Sequence, residues 1–278
     1  MTSQVVYTMF NFCDSRIFRI ILVIGLWLFV WQLLSVLLKF PSPIEVIPLI
    51  SDPNTFRVGA IKDKYTNAGP WVVFIHISYS LMRILGGVFV AFALALPMGL
   101  FVARFKRVQL FMIPFVRFMA SASPAAWVPI VIITVGIGNL TAGGLVFLSV
   151  FFLLTFATVN SVEQVDRKLK DLAKSLGASK QQIICHVIVP AIIPNLFVIL
   201  RINFFAAWMV ILVAEGAGIN VGLGAMIHVA RESNNYPLQV LVMLLIATVG
   251  FLTDTFLGII QHKLLWWHTG TTIGKQYV

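Results

Sequence analysis

The chain alternates long apolar runs with short polar, mostly basic stretches. From Ile20 to Leu38 almost every position is apolar, and runs of similar or greater length recur five more times. A bilayer core about 30 Å thick needs roughly 20 helical residues at about 1.5 Å each. On that measure the pattern predicts spans at 17–39, 74–103, 108–138, 142–161, 190–214 and 237–261, six transmembrane helices and no strand. The first run is longer than a secretion-signal core and is followed by no small-residue cleavage site, so it reads as a retained anchor. Residues 108–138 carry Pro114, Pro124 and Pro129 and are read as one long, proline-broken crossing.

Basic residues set the orientation, because short cytoplasmic loops collect Lys and Arg. With the N-terminus inside, Arg16, Arg19, Arg104, Lys106, Arg107, Arg167, Lys168, Lys170, Lys174, Lys180, Lys263 and Lys275 all fall inside. Only Arg57, Lys62, Lys64 and Arg231 fall outside. Two crossings within 108–138 would put one of the basic loops on the wrong side. Both termini are therefore expected in the cytoplasm. The organisation follows: a tail and first helix at 1–39, an external linker at 40–70 with one short interfacial helix, a core at 71–265 containing a cytoplasmic loop at 162–189, and a cytoplasmic tail at 266–278.

Composition agrees with this picture and removes alternatives. The 278 residues are 59% hydrophobic and 11% charged. A net charge of +10 in a soluble chain would suggest nucleic acid, but here the basic residues flank apolar runs as membrane topology requires, so no nucleic-acid partner is expected. Cys13 and Cys185 match no metal or redox spacing. His76, His186, His228, His262 and His268 form no ligand pair with metal-site spacing. "GTTIGKQ" at 270–276 falls short of a P-loop, with three residues between its glycines where four are needed and Gln276 in place of Ser or Thr.

One polar interruption stands out: "DLAKSLGASKQQIICHVIVP", residues 171–190. Residues 163–175 suit a helix with Val165, Leu169, Leu172, Ala173 and Leu176 as an apolar stripe. Gly177 is placed to end it, Ser179 to cap a second helix, and Ile183, Ile184, Val187 and Ile188 to form a second apolar face. Such a pair can simply rest on lipid headgroups. It can also be a docking element.

The residue pattern resembles the EAA loop of ABC importer permeases. Asp171, Leu172 and Ala173 fill the first triplet, Gly177 is the glycine, and Val187, Ile188, Val189 and Pro190 close it. Asp171 stands for the usual Glu and Leu172 for the first Ala. Other stretches, in the same order, resemble the nitrate, sulfonate, taurine and bicarbonate branch: "LKFPSPIEVIP", "SLMRILGG" at 80–87, "SASPAAWVPIVIITVGIGN" at 121–139 and "VAEGAGINVGLGAMI". The resemblance spans roughly residues 40–265. It implies the all-α type I importer permease fold in a bacterial inner membrane, with a second permease subunit as a homodimer partner. It further implies cytoplasmic ABC ATPase subunits that bind ATP and Mg, and an external substrate-binding protein. The chain itself would be no enzyme and carry no cofactor. Asp171, Leu172, Ala173, Lys174, Gly177, Ala178 and Ser179 would form the knob that seats on the ATPase, and a small anion would be the solute.

Ionisable groups within spans mark candidate pathways, since a buried charge needs a cavity or a partner. Arg201 lies about 16 Å beyond Pro190, and Arg117 about 15 Å beyond Arg107 if its helix is straight. With Ser121, Ser123 and Asn203 they are expected to line a cavity that tolerates a small anion, with Trp127 as a possible gate. The alternative is that each arginine bonds carbonyls at the proline breaks or pairs with Asp254 or Glu215. Arg83 is expected near the external edge, snorkelling or packing. Gly86, Gly87, Gly143 and Gly144 read as sites of close backbone approach, either within the subunit or across a dimer. A secondary transporter or channel acting without an ATPase would need no docking knob, and a membrane enzyme would cluster acids, bases or metal ligands at one face.

Overall fold

The computed structural model describes residues 16–38, 40–52, 55–56 and 71–265. Cys13, Arg57, Lys62, Lys64, His268, "GTTIGKQ" and Lys275 lie outside the described residues. Among those described, every regular element is helical. A 23-residue helix α1 (Arg16–Leu38) is followed by α2 (Pro43–Ser51), which starts with Ser42 and Glu45 in a reciprocal capping box. The core comprises α3 (Val72–Arg104), α4 (Lys106–Ser121), a 3-10 turn (Pro124–Trp127), α5 (Val128–Val135) and α6 (Asn139–Gln164). It continues with α7 (Arg167–Ser175), α8 (Lys180–Ile183), α9 (Val189–Gly216), α10 (Leu223–Glu232) and α11 (Tyr236–Leu264).

Side-chain contacts fix the directions of the helices. Arg83 near the start of α3 bonds Asn139 at the start of α6, and further along α3 a Cβ on Gly99 would strike Thr158 near the end of α6. These two helices therefore run parallel. Asn195, early in α9, bonds Ser161, late in α6, at 2.8 Å, so α9 runs the opposite way. Four helices, α3, α6, α8 continued through α9, and α11, are long and apolar enough to cross a bilayer. The apolar part of α1, Leu22–Leu37, is shorter.

The segment predicted as one broken crossing is two helical pieces at 89° to each other. Because α3 and α6 are parallel, this bent pair carries the chain back once, and it counts as a fifth crossing. The break falls at Ala122 and Ser123, whose ψ angles of 127° are extended. Proline forces its predecessor out of the helical region, and Pro124 does so here. Pro129 instead sits in the first turn of α5, where its missing N–H costs nothing, and Pro114 and Pro97 lie inside continuous helices.

Helices in lipid gain little from hydrophobicity against each other, so close backbone approach decides the packing. On α3, Gly87, Ala91, Ala95 and Gly99 recur every fourth residue and are all buried, forming one smooth stripe that meets α6. A Cβ on Gly87 would stand 2.6 Å from the Gly143 carbonyl oxygen and 2.8 Å from Val146. Gly87 thus fulfils the expected close approach. Gly86 and Gly144 take no part in the packing within this chain, since a Cβ on either meets nothing within 4 Å.

Candidate functional site

The loop between α6 and α9 is a rigid hairpin built by local rules. Asp166 caps α7 by accepting from the Lys168 N–H at 2.9 Å. At the other end Gly177 adopts φ +80°, Ala178 N–H donates to Ala173 O at 3.0 Å, and Gly177 N–H donates to Lys174 O at 2.9 Å. That pair of bonds is a Schellman motif, which needs a left-handed residue and so favours glycine. Ser179 then opens α8 with a capping box: its Oγ accepts from Gln182 N–H at 3.3 Å, and its own N–H donates to Gln182 Oε1 at 2.7 Å. Lys170 Nζ donates to Val162 O at 3.0 Å, fastening α7 back onto the end of α6. A π-helical turn, Ile184–Ile188, leads into α9.

The apolar stripe of this hairpin divides in two. Val165 and Ile183 are buried, whereas Leu169, Leu172 and Leu176 are 49%, 60% and 79% exposed on an otherwise charged helix. Asp171 and Lys174 pair with each other at 3.0 Å and are both well exposed, a bond worth a few tenths of a kcal/mol. Ala178 is half-buried and Ser179 exposed, so the tip is small and open.

Arg83 lies toward the end of the bundle where it is expected, and of the two roles expected there it takes packing rather than snorkelling. It is buried in a clasp at the end of the bundle opposite the hairpin, with side-chain exposures of 5% for Arg83 and 0% for Glu215. Arg83 Nη1 donates to Glu215 Oε1 and to Val221 O, each at 2.6 Å, while Nε and Nη2 donate to Asn139 Oδ1. The Glu215 carboxylate also accepts from Ser80 Oγ at 2.8 Å and from Gly224 N–H at 2.8 Å. Leu223 N–H donates to Ser80 Oγ, and Gly222 N–H to His76 Nδ1 at 3.1 Å. Three successive amides at the start of α10 are thus satisfied by side chains of α3 and α9. Gly222 and Gly224 make this possible, since a Cβ on Gly222 would run into the Glu215 carboxylate and one on Gly224 would stand 2.6 Å from Leu212 O. The sequence signal was present but unread: His76, Ser80 and Arg83 follow i, i+4, i+7 spacing on one face of an apolar helix.

The pathway candidates are not brought together as one cluster. Arg201 pairs with Asp254 of α11 through Nε to Oδ1 at 2.9 Å and Nη2 to Oδ2 at 2.8 Å, a two-pronged bond, with Gln261 accepting from Nη1 at 3.3 Å. Gly258 leaves room for the guanidinium, which would lie 3.3 Å from a Cβ there. Arg117 is exposed on α4, with its guanidinium carbon 4.9 Å from the centre of the Phe156 ring. Ser121 Oγ donates to Phe118 O within α4, and Ser123 is exposed at the bend. Asn203 is buried and donates to Ile199 O on its own helix, and Trp127 is half-buried against the core. Among the described residues no group of three or more His, Cys, Asp or Glu could hold a metal ion.

Comparison with known proteins places this geometry. A protein named as an aliphatic sulfonates transport permease in Bacillus subtilis is 31% identical over 195 residues, covering 70% of this chain and 71% of its own. The taurine transport system permease of Escherichia coli is 28% identical, covering 69% of this chain and 70% of its own. The bicarbonate transport system permease of Synechococcus elongatus is also 28% identical, over 67% of each chain. Among solved structures, an inward-facing methionine ABC transporter matches with a TM-score of 0.58 at 17% identity, over 70% of this chain and 95% of that one. An amino acid ABC transporter matches with a TM-score of 0.52 at 15% identity, over 73% and 95% respectively. Both support the type I importer permease fold. The family described as "Binding-protein-dependent transport system inner membrane component" matches residues 95–266, a stretch that holds the hairpin, the ion-pair carboxylates Glu215 and Asp254 and the Gly222 turn. With more than half the chain inside that match, the protein belongs to the membrane-spanning permease components of binding-protein-dependent ABC importers.

Proposed function

We propose that this chain forms half of the translocation path of an ATP-driven importer, pairing with a second copy of itself and taking solute from an external binding protein. The solute is a small oxyanion of the sulfonate, taurine, nitrate or bicarbonate class, in line with the named relatives. The α7–α8 hairpin is the docking element for a cytoplasmic ATPase, which brings the ATP and Mg that this chain does not bind. One observation carries the reading: Leu169, Leu172 and Leu176 stand exposed on a helix fixed at both ends by caps. A rigid apolar stripe at the polar end of a membrane bundle asks for a protein groove to cover it.

The hairpin is where force from ATP hydrolysis enters. Gly177 turns the chain within one residue, so the end of α7 protrudes, and Ala178 with Ser179 keeps the tip narrow. Its tie through Lys170 to the end of α6, and its unbroken run through α8 into α9, lead displacement of the hairpin into two crossing helices. Copurification from membranes with the ATPase subunits tests this. Leu172→Ser with Leu176→Ser should weaken retention of the ATPase by about a hundredfold or more, the loss of two leucines covered by the ATPase at about 1.5–3 kcal/mol each. Full retention of the ATPase by this variant, or uptake by the permease without any ATPase, overturns the reading.

A further inference from the structure

Three arginines lie inside apolar helices, and the structure gives them unequal partners. Arg83 has Glu215 and Arg201 has Asp254. Arg117 has no carboxylate or carbonyl among the described residues, only the face of Phe156. The acidic inventory makes this imbalance general. Among the described acidic residues, Glu45, Asp52, Asp166, Asp171 and Glu232 lie outside the crossing helices and Glu163 in the last turn of α6, leaving Asp254 within α11 and Glu215 at the end of α9. Each of those two already holds an arginine. In a second copy of the chain the same two carboxylates are held in the same way, so lending either one to Arg117 would strip Arg83 or Arg201.

Position sharpens the point. Arg117 lies about 15 Å along α4 from Arg107 and one turn before the right-angle break. At that depth an exposed guanidinium facing acyl chains is strongly disfavoured, so its face of α4 turns toward water or solute. Phe115 and Phe152 meet edge to face nearby, holding α4 against α6 where Arg117 sits. The Phe156 ring backs the guanidinium at 4.9 Å and takes none of its N–H groups as a carboxylate or carbonyl would, so the cation can donate charge-assisted bonds to an oxyanion.

We infer that Arg117, backed by Phe156, is the anion-selecting residue of the path, holding the oxyanion group of the solute at mid-depth, one per chain. The inference rests on the transport reading above and narrows it to one side chain; Arg83 and Arg201 are braces whose charge is already spent. The test uses the whole transporter in proteoliposomes, with ethanesulfonate, taurine and bicarbonate as probes and initial uptake as the readout. Arg117→Met should lower uptake of the best probe by about tenfold or more, the loss of a charged hydrogen bond, while still copurifying with the ATPase. Arg117→Lys should keep a third or more of the rate, and Phe156→Leu should fall between the two. Uptake by Arg117→Met at the unmodified rate overturns the inference. So does Arg117→Lys as inactive as Arg117→Met, since packing rather than charge would then be at work. If the unmodified transporter moves none of the anions but carries a neutral solute, the anion reading itself fails, a result distinct from either.

Discussion

At the scale of single residues, two neighbouring glycines make opposite demands. A Cβ at position 87 would enter the Gly143 carbonyl and Val146, while one at 86 meets open space. Gly87→Ala should therefore destabilise the protein by about 1–3 kcal/mol as overpacking does, whereas Gly86→Ala should be neutral or slightly stabilising. Thermal unfolding of the purified variants in one detergent distinguishes them, and equal melting temperatures would refute the assigned seam. Arg83 and Glu215 pose a sharper case, because each is buried and each satisfies several groups. Arg83→Met leaves the Glu215 carboxylate without its counter-charge, and Glu215→Gln leaves Arg83 without one; either should cost about 3–5 kcal/mol. The double variant should cost less than the sum of the two, since no charge is then left stranded. Additive losses in the same unfolding assay would mean that the two side chains act separately.

Elements that follow from short-range chemistry were readable in the sequence, and those that depend on distant partners were not. Asp171 to Pro190 contains its own instructions: Gly177 supplies the left-handed turn, Ser179 and Gln182 a capping box, and the structure places both where the residue types require. The right-angle break was harder, since Pro97, Pro114, Pro124 and Pro129 look alike along the chain. Only Pro124 ends a helix, because it alone is preceded by two extended residues, while Pro129 lies in a first turn. The clasp was missed for another reason. Spacing within α3 places Arg83 toward the external end, where it is found, but its partner Glu215 is more than a hundred residues away, so nothing in that spacing points to the clasp with the loop before α10. The same holds for Arg201, whose pairing with Asp254 was one of two readings the spacing left open. A variant isolates the local rule at the hairpin. Gly177→Val forces a branched side chain to φ +80°, a conformation that costs about 1–2 kcal/mol or more, and it should reorient the tip. Uptake by the assembled transporter should fall at least several-fold, with the bundle still folded by circular dichroism. Ser179→Ala removes one cap, worth about 1 kcal/mol, and should have a smaller effect of the same sign.

For the molecule as a whole, the parallel pair α3 and α6 is the constraint that orders everything else. Two helices running the same way in a bilayer require the chain between them to return across it, and only the bent pair α4–α5 is there to do so. At about 24 Å and 12 Å along their axes, α4 and α5 are each too short to span a 30 Å core alone, and together they span it only by dividing the distance around the break. This division leaves Ala122 and Ser123 with unraised helical bonds inside the membrane region, which is tolerated where backbone faces a water-filled path rather than lipid. The expected sidedness rests on the basic residues, which among the described ones gather at the hairpin end as Arg104, Lys106, Arg107, Arg167, Lys168, Lys170, Lys174 and Lys180. Cysteine labelling checks both claims at once, after Cys13 and the exposed Cys185 are changed to Ser. A membrane-impermeant maleimide applied to intact cells should react with Ile137→Cys and Asn234→Cys. It should reach Lys106→Cys and Ala178→Cys only in inverted vesicles. Labelling of positions 106 and 137 from the same side would make the bent pair a re-entrant loop, and it would also break the parallel arrangement that the Arg83–Asn139 and Gly99–Thr158 contacts require.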